Sequence, residues 1–430
     1  MRRVLYIAHR VPFPPDKGER LRAYHQIKAL SARYELTVAA LAHSQGDLTA
    51  ADGLRGCARK VIVGKAGGLA GLVRGAASLA AGRSVTEGYF RSRSLERQLE
   101  ALSGQAPFDL AIGYSSSVLP ALLRANAKAR VMDLIDVDSA KWGDYARAAG
   151  GIRGSLYRLE SHRVAALERR ALEQCQAVVL TSPQEAALLD AGMHKSKILP
   201  IGNGVDLEYF RPAQPAGGDG RTIVFTGTMD YRPNVEAVAW FVRQVWPAVR
   251  AARGDARFII VGRDPAAAVR RLAREPGVEV TGQVPDVRPF LAQAAVAVVP
   301  LHIARGIQNK VLEAMAMGAA VVASPQAMEG LDVTAGREVL CADAEPKWIA
   351  HLRRLLMCPE ERIGLGRLAR QCVEARYTWT ARLAGLMNLA ESLMEGSGAA
   401  AGAESPVLVA KSEQTSSAAT AWPQVSTVAR

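Results

Sequence analysis

The sequence predicts an α/β protein made of two doubly wound parallel-sheet halves that face each other across a cleft. Three observations predict it. Short apolar runs alternate with stretches of helical periodicity along most of the chain, the pattern of βαβ units and hence of parallel sheets. The alternation breaks once, at Ile201-Gly202-Asn203-Gly204-Val205-Asp206 and the Pro/Gly-rich stretch Pro212–Gly220, and then starts again. The 430 residues suffice for two or three domains.

The elements follow in order. Val4–Ala8 reads as a buried strand, Arg10–Gly18 as a loop, Arg20–Arg33 as a helix with Leu21, Tyr24, Ile27 and Leu30 near one face, and Leu36–Leu41 as a strand. Strands follow at Lys60–Val63, Phe108–Gly113, Arg130–Ile135, Ala177–Thr181 and Lys197–Pro200. Helices fall at Leu69–Ala81, Ser94–Ser103, Val118–Asn126, 155–174 and Gln184–Ala191. Beyond the break, strands are expected at Thr222–Thr226, Arg257–Val261, Val278–Thr281, Val296–Leu301 and Ala320–Ala323. The helices between them are Val235–Ala251, Pro265–Arg274, Pro285–Ala294 and Ile307–Met317. The expected division is 1–205, 206–376, a last helix over 377–395, and a disordered tail from Gly396 to Arg430, rich in Ala, Ser, Gly and Thr.

Composition narrows the function. No run of 18 or more apolar residues is present; the nearest, Ala66–Gly82, is rich in Gly and Ala and interrupted by Arg74. Met1-Arg2-Arg3 precedes an apolar stretch too short for a secretory signal. The five cysteines are scattered singly, which argues against a disulfide framework and for a reducing cytoplasm. The net charge of +13 is concentrated in residues 1–210, with 29 Lys and Arg against 20 Asp and Glu. Such a bias suits an anionic partner, or else a solvated Arg-rich surface. Aromatics make up 6% and do not interleave with the basic residues, so nucleic-acid stacking platforms are not evident.

Four segments could carry chemistry. In Pro14-Pro15-Asp16-Lys17-Gly18-Glu19-Arg20, glycine lets backbone approach a ligand where a helix begins, and the helix points its positive end there; a structural turn is the competing reading. In Arg305-Gly306-Ile307-Gln308-Asn309-Lys310-Val311-Leu312-Glu313, an amide-rich helix start and Lys310 suit a diphosphate, while Glu313 could accept hydrogen bonds from two sugar hydroxyls. The competitor is a surface Lys–Glu pair. The turn at Gly227 brings Arg232, which could pair with phosphate oxygens. Asp133, Asp136 and Asp138 surround a strand end and could act as a base or orient a substrate; further ligands at close spacing for a metal are missing, and Asp138 or Ser139 could simply cap a helix.

Together these segments resemble glycosyltransferase family 4, over about residues 1–395. The resemblance rests on the Gly18 loop, the hinge Gly202–Asp206 with Phe210-Arg211-Pro212, the turns Phe225-Thr226-Gly227, Val261-Gly262 and Gly282-Gln283-Val284, and above all Lys310…Glu313-Ala314-Met315-Ala316-Met317-Gly318. More narrowly, Pro14–Gly18 and Asp136-Val137-Asp138-Ser139-Ala140-Lys141-Trp142 resemble sugar transferases of exosortase systems and exopolysaccharide loci.

The resemblance implies the GT-B fold of two Rossmann-like domains and transfer of a sugar, with retention, from a nucleotide-diphosphate donor to a glycan or lipid-linked acceptor. It implies no cofactor, no metal and no nucleic acid. The donor would be held by Gly227, Gly282, Val284, Arg305, Gly306, Asn309, Lys310, Val311, Leu312 and Glu313, with Gly18 facing it from the first half. Lys310, Arg232 and Asp136 are the expected catalytic residues, and Asp136 and Asp138 the acceptor-binding ones. Arg305 stands where the family often has the first of two glutamates, and Thr228 or Met229 and Pro233 stand where many members have an Arg and a Lys. The basic first half suits an acceptor at the inner face of the cytoplasmic membrane. Two alternatives stay open: a sugar-nucleotide epimerase, and a catalytically silent nucleotide-sugar-binding regulator of a polysaccharide assembly complex.

Overall fold

The computed structural model describes residues 1–396 apart from 16–17, 105, 213–216 and 305. Arg305 and the tail expected beyond Gly396 therefore lie outside the described residues.

Two sheets form, both wholly parallel. The first holds β1 (Arg3–Ala8), β2 (Glu35–Ala42), β3 (Lys60–Lys65), β4 (Phe108–Tyr114), β5 (Ala127–Ile135), β6 (Ala177–Leu180) and β7 (Ile198–Pro200), in the order β3-β2-β1-β4-β5-β6-β7. The second holds β8 (Thr222–Thr226), β9 (Arg257–Val261), β10 (Val278–Gly282), β11 (Val296–Val299), β12 (Ala320–Ala323) and β13 (Leu340–Cys341), in the order β10-β9-β8-β11-β12-β13. Central strands such as β8, β11 and β12 are buried along their whole length, which is why β11 and β12 read as unbroken Val and Ala runs and β8 as Ile-Val-Phe between two threonines. In each sheet the strand order reverses beside the first strand, between β1 and β4 and between β8 and β11, and ligands of such sheets bind beyond the strand ends at that reversal.

Each sheet carries an apolar cluster on both faces. One cluster on the first sheet includes Trp379, Leu383, Leu386, Met387 and Ala390 from the last helix, Trp379–Gly396. That helix crosses back over the break between the halves: Val205 pairs with Thr378, Arg382 lies against Gly202, and the Trp379 ring stacks on His25 at 4.5 Å.

Several helices form where the sequence reading placed none. A helix fills Asp138–Ala149, where only an acidic run was noted; it forms because it packs antiparallel on the long helix Gly151–Gln174 across the tight turn at Gly150. Short helices at Gln45–Ala50 and Val85–Phe90 are each started by a serine side-chain cap, Ser44 and Ser84. Helices Glu345–Met357 and Pro359–Arg376 close the second half.

One buried polar chain ties the halves together. Arg22, on the helix Gly18–Ser31, meets Asp133 at 2.8 Å with neither side chain more than 1% exposed. Gln26 donates to the same Asp133 carboxylate at 2.6 Å. Arg22 also donates to Asn203 in the hinge at 3.1 Å, and Asn203 donates to Asn309 of the second half at 3.1 Å. Removing one member of a buried ion pair leaves the other charge uncompensated. Asp133→Asn is accordingly expected to lower the unfolding free energy by about 3–5 kcal/mol, read by denaturant titration; a loss under 1 kcal/mol would refute this role.

Candidate functional site

The site is built at the two strand-order reversals. β11 leads through a loop to the helix Asn309–Ala316, whose first turn has no side-chain cap. Gly306 in that loop sits at φ +62°, a left-handed conformation that suits glycine. Lys310 lies one residue into the helix. Its Nζ donates to the Asn234 side chain at 2.6 Å and stands 4.6 Å from the Phe225 ring centre. Gly227 covers it closely: a Cβ there would fall 2.8 Å from Asn234 and 3.1 Å from Lys310 Nζ. Gly262 is needed just behind, because a Cβ on it would come within 1.6 Å of the Gly227 carbonyl.

Burial dominates the electrostatics here. It pushes the Lys310 ammonium down to about 7, with Glu313 opposing, and pushes the Glu313 carboxyl up to about 7, with Lys310 opposing. Both side chains keep some contact with solvent. The pair is thus poised so that an added anion would favour the charged lysine.

The first half faces this point with the N-terminus of the helix Gly18–Ser31. A Cβ on Gly18 would lie 3.2 Å from the Asn309 side chain, so the two helix starts meet across the cleft. Beside them, Ile135 at the end of β5 has φ +72°, unfavourable for a β-branched residue. Its N–H donates to Asp133 at 2.9 Å and its carbonyl accepts from Thr181 N–H at 2.8 Å, and this bend turns Asp136 toward the second half. Asp136 accepts from the Thr181 hydroxyl at 2.8 Å. Burial, with Glu185 and Asp138 adding to it, pushes its carboxyl up to about 6. Asp138 accepts from Ser116 at 2.8 Å. Lys141 lines the same wall; burial pulls its ammonium down, but Asp138, Tyr145, Tyr231 and Asp136 outweigh that and hold it above the usual value.

These groups border a cavity of about 470 Å³ between the halves. Of the residues singled out in the sequence, Gly18, Asp136, Asp138, Gly306 and Asn309 line it. Lys310, Glu313 and Gly227, in the second half, are not among its lining residues. Gly282, at φ +71°, ends β10 with open space over its Cα, and Val284 packs on the second-half core. Val311 and Leu312 send their side chains into that core, so they offer the site only backbone. Arg232 does not border the cavity; it is largely exposed and pairs with Glu236 at 2.7 Å.

The cavity also takes in His9, Arg22, Lys141, Trp142 and Tyr145, none of which was singled out for the site. Trp142, Tyr145 and Tyr157 form an aromatic cluster with ring centres 5.5–6.2 Å apart. In a chain with 54 Lys and Arg, no local signal marks Arg22, while Lys141 and Trp142 lie in the run noted for the narrower resemblance. Among the described residues no group of three His, Cys, Asp or Glu side chains could hold a metal ion, and no helix is long and apolar enough to cross a membrane.

Residues 220–357 match the family model described as "Glycosyl transferases group 1", a segment that contains Gly227, Lys310 and Glu313. Among curated proteins none matches. Several solved structures share the fold. Sucrose-phosphate synthase from Thermosynechococcus elongatus superposes with a TM-score of 0.67 at 18% identity, over 92% of this chain and 100% of that one. HepE of Anabaena, in complex with UDP and glucose, gives 0.63 at 15% identity over 91% and 100%. WaaG, a glycosyltransferase involved in lipopolysaccharide biosynthesis, gives 0.60 at 16% identity over 91% and 99%. The fold is thus the GT-B type, two Rossmann-like parallel-sheet units.

A Cβ on Gly306 would approach the Asp136 carboxylate to 2.6 Å, in a backbone conformation that alanine resists. Gly306→Ala is expected to destabilise by about 1–2 kcal/mol and to shift the pH dependence assigned to Asp136. Thermal unfolding and NMR titration of the Asp136 carboxyl check both effects; an unchanged titration would separate the two groups.

Proposed function

We propose that the chain is a retaining glycosyltransferase that moves a sugar from a nucleoside-diphosphate donor to a glycan or lipid-linked acceptor in bacterial exopolysaccharide assembly. The observation that carries this reading is the Lys310–Glu313 pair at the open start of the helix Asn309–Ala316, inside the segment that matches the glycosyltransferase family and opposite Gly18. An uncapped helix start and a neighbouring ammonium complement a diphosphate. Glu313, one turn on, suits the ribose hydroxyls, and the open space over Gly282 suits the base. HepE, of the same fold, is described with UDP-glucose.

The acceptor belongs on the opposite wall, where Asp136, Asp138 and Lys141 are polar anchors and Trp142 and Tyr145 offer apolar faces to a sugar ring. In the reaction, an acceptor hydroxyl oxygen bonds to the anomeric carbon on the face from which the diphosphate leaves. The carbon–oxygen bond to the diphosphate breaks, and the departing phosphate oxygen takes the hydroxyl proton. Lys310 and the helix-start N–H groups stabilise the charge that develops on the leaving group. Asp136, held near 6 by burial, orients the acceptor hydroxyl. Arg232, paired with Glu236 away from the cavity, has no part in this scheme. The scheme uses no metal or cofactor.

Thermal shift against UDP, GDP, ADP and dTDP tests the donor site. One nucleotide at about 100 times its Kd should stabilise the protein by roughly 2.7 kcal/mol, and Glu313→Ala should reduce the effect. No response to any nucleotide would remove the donor assignment. Incubation of the matching nucleotide sugar then separates the alternatives: turnover without an acceptor indicates an epimerase, and binding without turnover a silent regulator.

Lys310 gives a second test. It titrates near 7 in the free protein, and a bound diphosphate raises that value by favouring the ammonium. At pH 8 the free lysine is mostly neutral, so nucleotide binding should take up close to one proton, measured by calorimetry in buffers of different ionisation enthalpy. Above pH 7 affinity should fall about tenfold per pH unit. Lys310→Met should abolish both effects; their persistence would place the charge elsewhere.

A further inference from the structure

The helix Gly68–Ala80 is built inside out. Its buried residues are Gly71 and Gly75. A Cβ on Gly71 would come within 3.2 Å of Tyr89, and one on Gly75 within 2.9 Å of Val85, so the Val85–Phe90 helix packs on bare backbone. The large aliphatic side chains lie on the other side. Leu69, Leu72 and Val73, spaced as one helical face, are 83%, 58% and 70% exposed. A helix on the surface of a water-soluble protein has the opposite arrangement.

The neighbouring helix Gly151–Gln174 continues the pattern. Arg163 on it donates to the carbonyls of Leu79 at 2.6 Å and Arg83 at 2.8 Å, fastening the two helices together. Its first turns expose Ile152, Leu156 and Leu159. Charge in both segments has one sign. Residues 65–83 contain Lys65, Arg74 and Arg83 and no acidic residue, and residues 147–159 contain Arg147, Arg153 and Arg158 and no acidic residue.

We propose that this face docks on an anionic lipid bilayer, with Leu69, Leu72 and Val73 in the boundary between headgroups and acyl chains and Lys65, Arg74 and Arg83 against lipid phosphates. A 13-residue helix is about 20 Å long, too short to span a bilayer but suited to lying in its surface. The charge pattern selects this partner over a second copy of the chain. Arg83 meets Glu87 at 3.4 Å and Arg147 pairs with Asp144, but each segment keeps a cationic excess, which a symmetric dimer would bring together and an anionic bilayer would neutralise. The location fits an acceptor carried by a lipid. Gly67, which starts the helix, packs against His43 and Tyr89, and the next residue, Phe90, lines the cleft cavity. Docking therefore sets the acceptor side of the cleft beside the lipid surface. Only this last step rests on the proposed function; the docking itself does not.

The test is flotation of the full chain with phosphatidylcholine vesicles with and without phosphatidylglycerol, repeated at rising salt, with the nucleotide thermal shift run in parallel. The chain should float with the anionic vesicles, and added salt should release it. The Leu72→Glu, Val73→Glu double variant should bind at least about tenfold more weakly, with melting temperature and nucleotide response unchanged. If that variant fails to fold, Leu69→Ser, at the most exposed of the three positions, replaces it with the same expectation in a smaller degree. Absence of binding to anionic vesicles overturns the proposal, as does equal binding by a folded variant. So does a dimer of the wild type, seen by size exclusion, that the variant breaks. Vesicle binding without any nucleotide response would remove the transferase reading and leave the docking surface standing.

Discussion

The contact on which the rest of the molecule depends is the buried ion pair between Arg22 and Asp133. It lies under the point where the first sheet reverses its strand order, and it connects three things the function needs in register. Asp133 also accepts from Ile135 N–H, which fixes the left-handed bend that presents Asp136. Arg22 reaches the hinge through Asn203, and Asn203 reaches the start of the helix Asn309–Ala316. A buried ion pair is a weak source of net stability, because desolvating both charges cancels much of their attraction. Its value here is geometric: a charged, directional network tolerates one arrangement of the halves, where apolar packing would accept several.

On that frame the two walls of the cleft have opposite characters. The second half offers an uncapped helix start, Lys310 and the close glycine pair Gly227 and Gly262, an arrangement suited to an anion that approaches backbone closely. The first half offers carboxyls, Lys141 and aromatic faces, an arrangement suited to a hydroxylated ring. Three groups displaced from their ordinary titration ranges, Lys310, Glu313 and Asp136, lie on these two walls or next to them, and burial is the first cause in each. Burial makes them sensitive to whatever charge enters next, which solvated side chains would not be. The helix Gly68–Ala80 adds a third surface at the lip of the acceptor wall, so the basic excess of the first half has a place where exposed aliphatic side chains accompany it.

The sequence by itself determined the architecture. Buried parallel strands need apolar centres, here Ile223–Phe225, Phe258–Val261 and Ala320–Ala323, so β8, β9 and β12 were legible to the residue, and the restart after Asp206 marked the second sheet. The turn at Gly227 and the helix start before Lys310 were legible because each imposes local residue types at fixed spacing. Other features depend on residues far apart in the chain, and only the tertiary structure decided them. The acids Asp133, Asp136 and Asp138 look equivalent in sequence, yet one is buried against Arg22 and two border the cleft, the second of these also opening a helix. Arg232 looked available at a helix start, but its partner one turn on, Glu236, holds it at the surface. The periodicity of Leu69–Ala81 gave a helix and left open which face was inside. Tyr89 and Val85 settled that by packing where only glycine leaves room, and turned the leucines outward.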